Sequence, residues 1–113
     1  MSKVKMTFVV PQNLHQELRE QMTKDQYGLR GKSKWITEAI DLLLELDTYP
    51  DLVSFSDNMH GFTKVETISV DLAIKQKVEA GVVQIRRQFP LLEGVQSCLI
   101  RTAIIQRLLR SIA

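Results

Sequence analysis

A single cysteine, Cys98, stands in a chain of 113 residues, so no internal disulfide can form and the stapled scaffolds of small secreted proteins are excluded. The pattern suits a reducing cytoplasm, which is the expected compartment. Five Gly and three Pro are too few for a collagen-like or low-complexity chain. No apolar run reaches the roughly 18–20 residues of a membrane-crossing helix, and no membrane partner is expected. Met1-Ser2-Lys3-Val4-Lys5 leads into only a short apolar stretch, so a cleaved signal peptide is not expected either. Histidine is scarce as well. His15 and His60, with Cys98, lack metal-ligand spacing, and no metal or other cofactor is expected.

What is present describes a globular protein of 13.0 kDa, 44% hydrophobic and 25% charged, large enough to bury a core. Asp and Glu are plentiful, but nothing marks an acid–base pair in a pocket, so no enzyme is expected. Gly28-Leu29-Arg30-Gly31-Lys32-Ser33 has the look of a phosphate-binding loop. Only two residues separate its glycines, however, and a helical pattern precedes it where that motif needs a strand. The net charge of +2 is unevenly spread. Residues 1–46 carry seven basic and six acidic groups, residues 47–63 carry three Asp and no Lys or Arg, and residues 64–113 carry eight basic and four acidic groups. An acidic joint between two basic halves fits a polyanion-binding protein, as does ordinary scatter of surface charge.

The chain repeats itself. Thr7-Phe8-Val9-Val10-Pro11 with Leu14 and Leu18 is answered 60 residues later by Thr67-Ile68-Ser69-Val70-Asp71 with Ile74 and Val78. Ser33 to Ile40 is answered by Ser97 to Ile104 at an offset of 64. Each copy changes period in the same order. Apolar residues at Val4, Met6, Phe8 and Val10 alternate as in a half-buried strand, and Pro11 suits the first turn of a helix. Leu14, Leu18 and Met22 follow at helical spacing up to a break at Gly28 and Gly31. Ser33 then reads as an N-cap for a helix burying Ile36, Ala39, Ile40 and Leu43. The second copy reads as a strand near 64–70, then a first helix capped by Asp71 or Ser69 with Ile74, Val78, Val82 and Ile85 along it. Ser97 caps a last helix presenting Ile100, Ala103, Ile104 and Leu108. The expected division is a first repeat over 1–46, an acidic linker over 47–63, including Asn58-Met59-His60-Gly61, and a second repeat over 64–113.

A lone strand exposes its hydrogen-bonding edge and cannot cover its apolar face. Pairing the two strands as an antiparallel ribbon over four helices answers both needs, which predicts a mainly α fold with a two-stranded ribbon. Lys5, Thr7 and Val9 then project from the face opposite the helices, with Val65, Thr67 and Ser69 from the second strand and Lys5 opposed in register by Val65. Such a ribbon fits the major groove of DNA. There Lys can donate to guanine, Thr and Ser can bond either base type, and Val can meet a thymine methyl.

These residues resemble the ribbon-helix-helix DNA-binding family of the Arc/MetJ class, present twice in one chain as an intramolecular pseudo-dimer. The landmarks are Val10-Pro11, the helix through Leu14 and Leu18, and Gly31-Lys32-Ser33 leading into Trp35-Ile36-Thr37-Glu38-Ala39-Ile40. The resemblance implies double-stranded DNA as partner, with base reading by Lys5, Thr7, Val9, Val65, Thr67 and Ser69. It also implies phosphates held at the second helix of each copy, by Lys32, Ser33 and Lys34 and by Gln96 and Ser97, where free amides and the helix dipole favour an anion. A transcription regulator acting as a repressor, or an accessory factor in plasmid or mobile-element DNA processing, is the implied role, with self-association on DNA left open. The second copy departs from the pattern at Asp71, at inward-facing Glu66 and at apolar Val65. The rival reading is a protein-interaction module of the antitoxin kind. Arg86, Arg87, Arg101, Arg107 and Arg110 read mainly as a solvated helix face, and Trp35 as packing under the ribbon or against the linker.

Overall fold

The computed structural model describes residues 3–28, 30–56 and 63–112; Asn58-Met59-His60-Gly61 and Leu29 lie outside them. Strand β1 (Lys3–Pro11) runs into helix α1 (Gln12–Lys24), followed by α2 (Lys32–Leu44) and α3 (Tyr49–Ser56). Strand β2 (Thr63–Asp71) then runs into α4 (Leu72–Gln88) and α5 (Val95–Ile112). The chain is mainly helical with one two-stranded antiparallel sheet. Among the described residues, no helix is long and apolar enough to cross a membrane.

Alternation sets the ribbon. Met6, Phe8 and Val10 of β1 and Ile68 and Val70 of β2 are buried, while Lys5, Thr7, Val65, Thr67 and Ser69 between them are exposed. The strands pair with Thr7 opposite Thr67, Lys3 opposite Asp71 and Pro11 opposite Thr63. Each strand runs without a loop into its helix. Pro11 and Asp71 sit at the helix entrances with nearly identical extended backbones, φ −64° and ψ 148° against φ −65° and ψ 148°. Pro11 lacks only an amide that the first turn would leave unpaired. Asp71 holds the cap position but gives no side-chain cap bond, contrary to expectation. Its carboxylate instead meets the Lys3 ammonium at 3.1 Å.

The helices form the core beneath the ribbon. Trp35, Ile36, Ile40 and Leu43 of α2 face Leu99, Ile100 and Ile104 of α5, all at most 1% exposed. These two helices make the most extensive helix–helix contact in the chain. Leu14 and Leu18 of α1 and Ile74, Val78 and Ile85 of α4 complete one cluster drawn from both halves of the sequence. Burial of each such aliphatic side chain stabilises the fold by about 1.5–3 kcal/mol relative to leaving it exposed. Val82 and Leu108, expected inward, are half-buried at its margin.

Residues 47–63 are more than a connection. They contain α3, whose Val53 is fully buried in the common core. Two glycines turn the chain into the long helices. Gly94 adopts φ 58°, and its carbonyl accepts the Cys98 amide of α5 at 3.0 Å. A Cβ on Gly31 would lie 2.3 Å from the Tyr27 carbonyl oxygen, so only glycine fits where α2 begins.

Candidate functional site

The structure brings the six strand residues together on one solvent-facing surface. Lys5, Thr7, Val65, Thr67 and Ser69 are exposed and Val9 is half-buried. At the centre the hydroxyls of Thr7 and Thr67 approach to 3.3 Å. One donates to the other, which leaves acceptor capacity and one proton for an outside partner. The register corrects the expected opposition of Lys5 and Val65. Lys5 faces Ser69 across the ribbon, and Val65 faces Val9. The offset of the repeat gives positions that are equivalent, whereas antiparallel pairing about Thr7 and Thr67 places equivalent positions at opposite ends. The surface is therefore graded along its length. One end is polar, with Lys3, Lys5, Ser69 and Asp71, and the other carries the apolar pair Val9 and Val65.

The ribbon edges are sealed by the starts of α2 and α5. The Ser69 amide donates to Ser33 Oγ at 3.1 Å, and the Val9 amide donates to Ser97 Oγ at 3.1 Å. On the β1 side, Gln96 Nε2 donates to the Thr7 carbonyl at 3.0 Å and Arg101 Nη1 to the Val9 carbonyl at 2.7 Å. Ser33 is thus not the N-cap that was expected, because Gly31 holds that place and α2 begins at Lys32. Ser97 likewise lies inside α5, which begins at Val95. Both hydroxyls are taken up by strand amides that the ladder would otherwise leave bare. The consequence is positional. The N-terminal turns of two helices of thirteen and eighteen residues flank the exposed ribbon, one along each strand.

The two lysines expected at that flank differ in their surroundings. Lys34 is exposed, with its ammonium 5.8 Å from the Tyr27 ring centre. Lys32 is half-buried and bonded to the Glu66 carboxylate. Glu66 is the inward-facing acid of β2, only 7% exposed, and it also accepts from His15 Nε2 at 2.7 Å and meets Lys64 Nζ at 3.4 Å. Burial pushes the Glu66 carboxyl up, but Lys32, bonded to it, together with His15 and Lys64 holds it below its ordinary value. Burial pushes the His15 imidazole down, and Lys64, Lys32 and Arg19 outweigh with it the pull of Glu66. His15 is therefore a neutral donor to an ionised carboxylate at neutral pH.

Two arginines depart from the expected solvated face. Arg101 is 7% exposed and bonds the β1 edge and Cys98 Sγ, the latter at 3.2 Å. The Arg107 guanidinium lies 4.3 Å from the Trp35 ring centre and donates to the Trp35 carbonyl at 2.7 Å and to the Tyr27 hydroxyl at 2.9 Å. Trp35 is fully buried and donates through Nε1 to Asp25 at 2.9 Å, so its ring has no face for a base. Arg86, Arg87 and Arg110 are exposed. Sequence reasoning missed the edge role of Arg101 and the grouping of His15, Lys32 and Lys64 about Glu66. The inward phase of Glu66 was the one signal available for the latter. Among the described residues, no three His, Cys, Asp or Glu side chains gather as a metal site would need. No protein-family model, curated protein or solved structure matches the chain.

Proposed function

We propose that the chain is a tandem ribbon-helix-helix protein that binds double-stranded DNA sequence-specifically, with its ribbon in the major groove. It acts by occupancy, as a transcription regulator of the repressor kind or as an accessory factor in mobile-element DNA processing. It is a binding protein and not a catalyst. The observation that carries the reading is the two-stranded ribbon with one face packed on helices and the other exposed, flanked along both strands by helix N-termini. A ribbon of that width enters the major groove, where base edges display a donor and acceptor code. Lys5, Thr7, Thr67 and Ser69 offer hydrogen-bonding groups, and Val9 and Val65 offer methyls. The amides of the first turns of α2 and α5, with Lys34 and Gln96, favour the phosphates on either side. Lys32 contributes to this field while bonded to Glu66, and Ser33 and Ser97 act by holding the ribbon against the helix starts.

Selection of bound sequences from a random duplex pool tests the proposal. A short enriched site, bound with an affinity that falls steeply with salt, is the expected result. Recovery of unenriched pool sequences would contradict it. One observation favours the protein-interaction reading as a second: Phe55 is 81% exposed and Leu91 94% exposed. Tight capture of a protein by a chain that binds no duplex would establish that reading instead.

A further inference from the structure

The repeat supplies an internal control for every position. Sixty residues before Glu66 stands Met6, 2% exposed, and sixty before Lys64 stands Val4. Sixty after His15 and Arg19 stand Lys75 and Glu79, and 64 after Lys32 stands Gln96. At one end of the ribbon an apolar residue therefore meets the needs of the fold. At the other end a carboxylate is buried instead and surrounded by basic groups. Burying a charge in this way costs stability unless it is paired, and the fold does not require it.

These groups line a cleft of about 870 Å³ between α1, the start of α2 and the start of β2. His15 and Glu66 lie deep in it, both more than nine-tenths buried, and Met22 forms an apolar wall. Arg19, Lys32 and Lys64 come from three different elements. Against the single charge of Glu66 they leave an excess of two positive charges with His15 neutral. The adjoining shallower groove over α1 shares His15, Arg19 and Lys64, and Glu20 is the acidic residue among those lining it. Lys64 and Arg19 are exposed and keep donors for an outside partner. An arginine fork with two ammonium groups suits a tetrahedral oxyanion. An excess of two charges matches a phosphate dianion better than a single carboxylate.

We infer that the cleft of Arg19, Lys32, Lys64 and His15 about Glu66 is a binding site for a phosphate group. A free phosphate-bearing small molecule or a phosphate of the DNA backbone beyond the apolar end of the ribbon can supply that chemistry. The oxyanion site itself does not depend on the DNA reading; only its second source does.

Inorganic pyrophosphate is the probe, titrated at constant ionic strength while the His15 ring resonance is followed by NMR, with acetate as control. The expected result is a saturable shift with pyrophosphate and none with acetate. The double variant R19Q/K64Q, which changes only exposed side chains, should weaken binding at least tenfold. R86Q/R87Q, on exposed residues that do not line the cleft, should change it less than twofold. No saturable shift, or equal weakening by both double variants, overturns the proposal. Duplex DNA added to the pyrophosphate complex identifies the source. Displacement of pyrophosphate assigns the phosphate to the DNA backbone, and joint binding assigns it to a free ligand. A chain that saturates with pyrophosphate yet binds no duplex leaves the cleft standing and overturns the DNA reading alone.

Discussion

Glu66 shows how one residue couples charge, stability and pH. Removing one partner from a buried carboxylate leaves it under-bonded, whereas replacing the carboxylate and its buried donor His15 together by apolar groups leaves neither in need of a partner. Lys32→Met should therefore lower the unfolding free energy by about 1–3 kcal/mol, while Glu66→Met combined with His15→Leu, the former copying the residue at position 6, should be neutral or stabilising. Urea titrations of the two variants check this, and equal losses would contradict it. The pH dependence follows from the same geometry. His15 is held below its ordinary value of 6.5, so the folded state resists its protonation and stability falls as pH drops below that value. Glu66 is held below 4.5, so its contribution is in place above that pH and is lost as pH falls through the lowered folded-state value. The urea midpoint should be flat from about pH 7 to 8 and decline in two stages on acidification. His15→Gln should remove the first stage. An unchanged first stage in that variant would show that His15 does not carry it. The inward phase of Glu66 was legible from the period of two. Its partners were not, because His15 and Lys32 reach it across 51 and 34 residues of sequence.

Elements were read well where one periodicity dominates. Met6, Phe8 and Val10 mark β1, and Leu14, Leu18 and Met22 mark α1, because a strand and a helix each expose a single apolar face to the core. The same reasoning missed α3. Tyr49-Pro50-Asp51 looks like a turn, yet proline is well tolerated in a first helical turn, and a helix of eight residues offers too few positions for its stripe to stand out. The serines at 33 and 97 were legible as lying near helix starts and not as serving the strands. Their acceptors' partners, the amides of Ser69 and Val9, lie 36 and 88 residues away. Ser33→Ala and Ser97→Ala should each cost about 1 kcal/mol through loss of one edge bond. Amide hydrogen exchange should accelerate at Ser69 in the first variant and at Val9 in the second. Acceleration spread evenly over the whole chain would show that the serines do not act on the edges.

For the whole molecule, the two strands pair within one chain, so a single copy presents the whole exposed face of the ribbon, and its two ends are not copies. A symmetric dimer of identical strands prefers a palindromic site. This chain presents Lys5 with Ser69 at one end and Val9 with Val65 at the other, and a single copy should recognise a short asymmetric site. Lys34→Ala should lower the slope of log K against log salt by about 0.9 if the exposed ammonium meets one phosphate, with base preferences unchanged. An unchanged slope would place Lys34 off the backbone. The central claim is that the exposed ribbon reads bases. Its most direct test is the affinity of Lys5→Ala and Val65→Ala for a panel of single-base changes across the selected site. Lys5→Ala should relax preference at the polar end alone, by about 1–3 kcal/mol, and Val65→Ala should relax it less and at the opposite end. Equal losses on every duplex for both variants would mean that the ribbon contacts DNA without reading it, and would contradict the account.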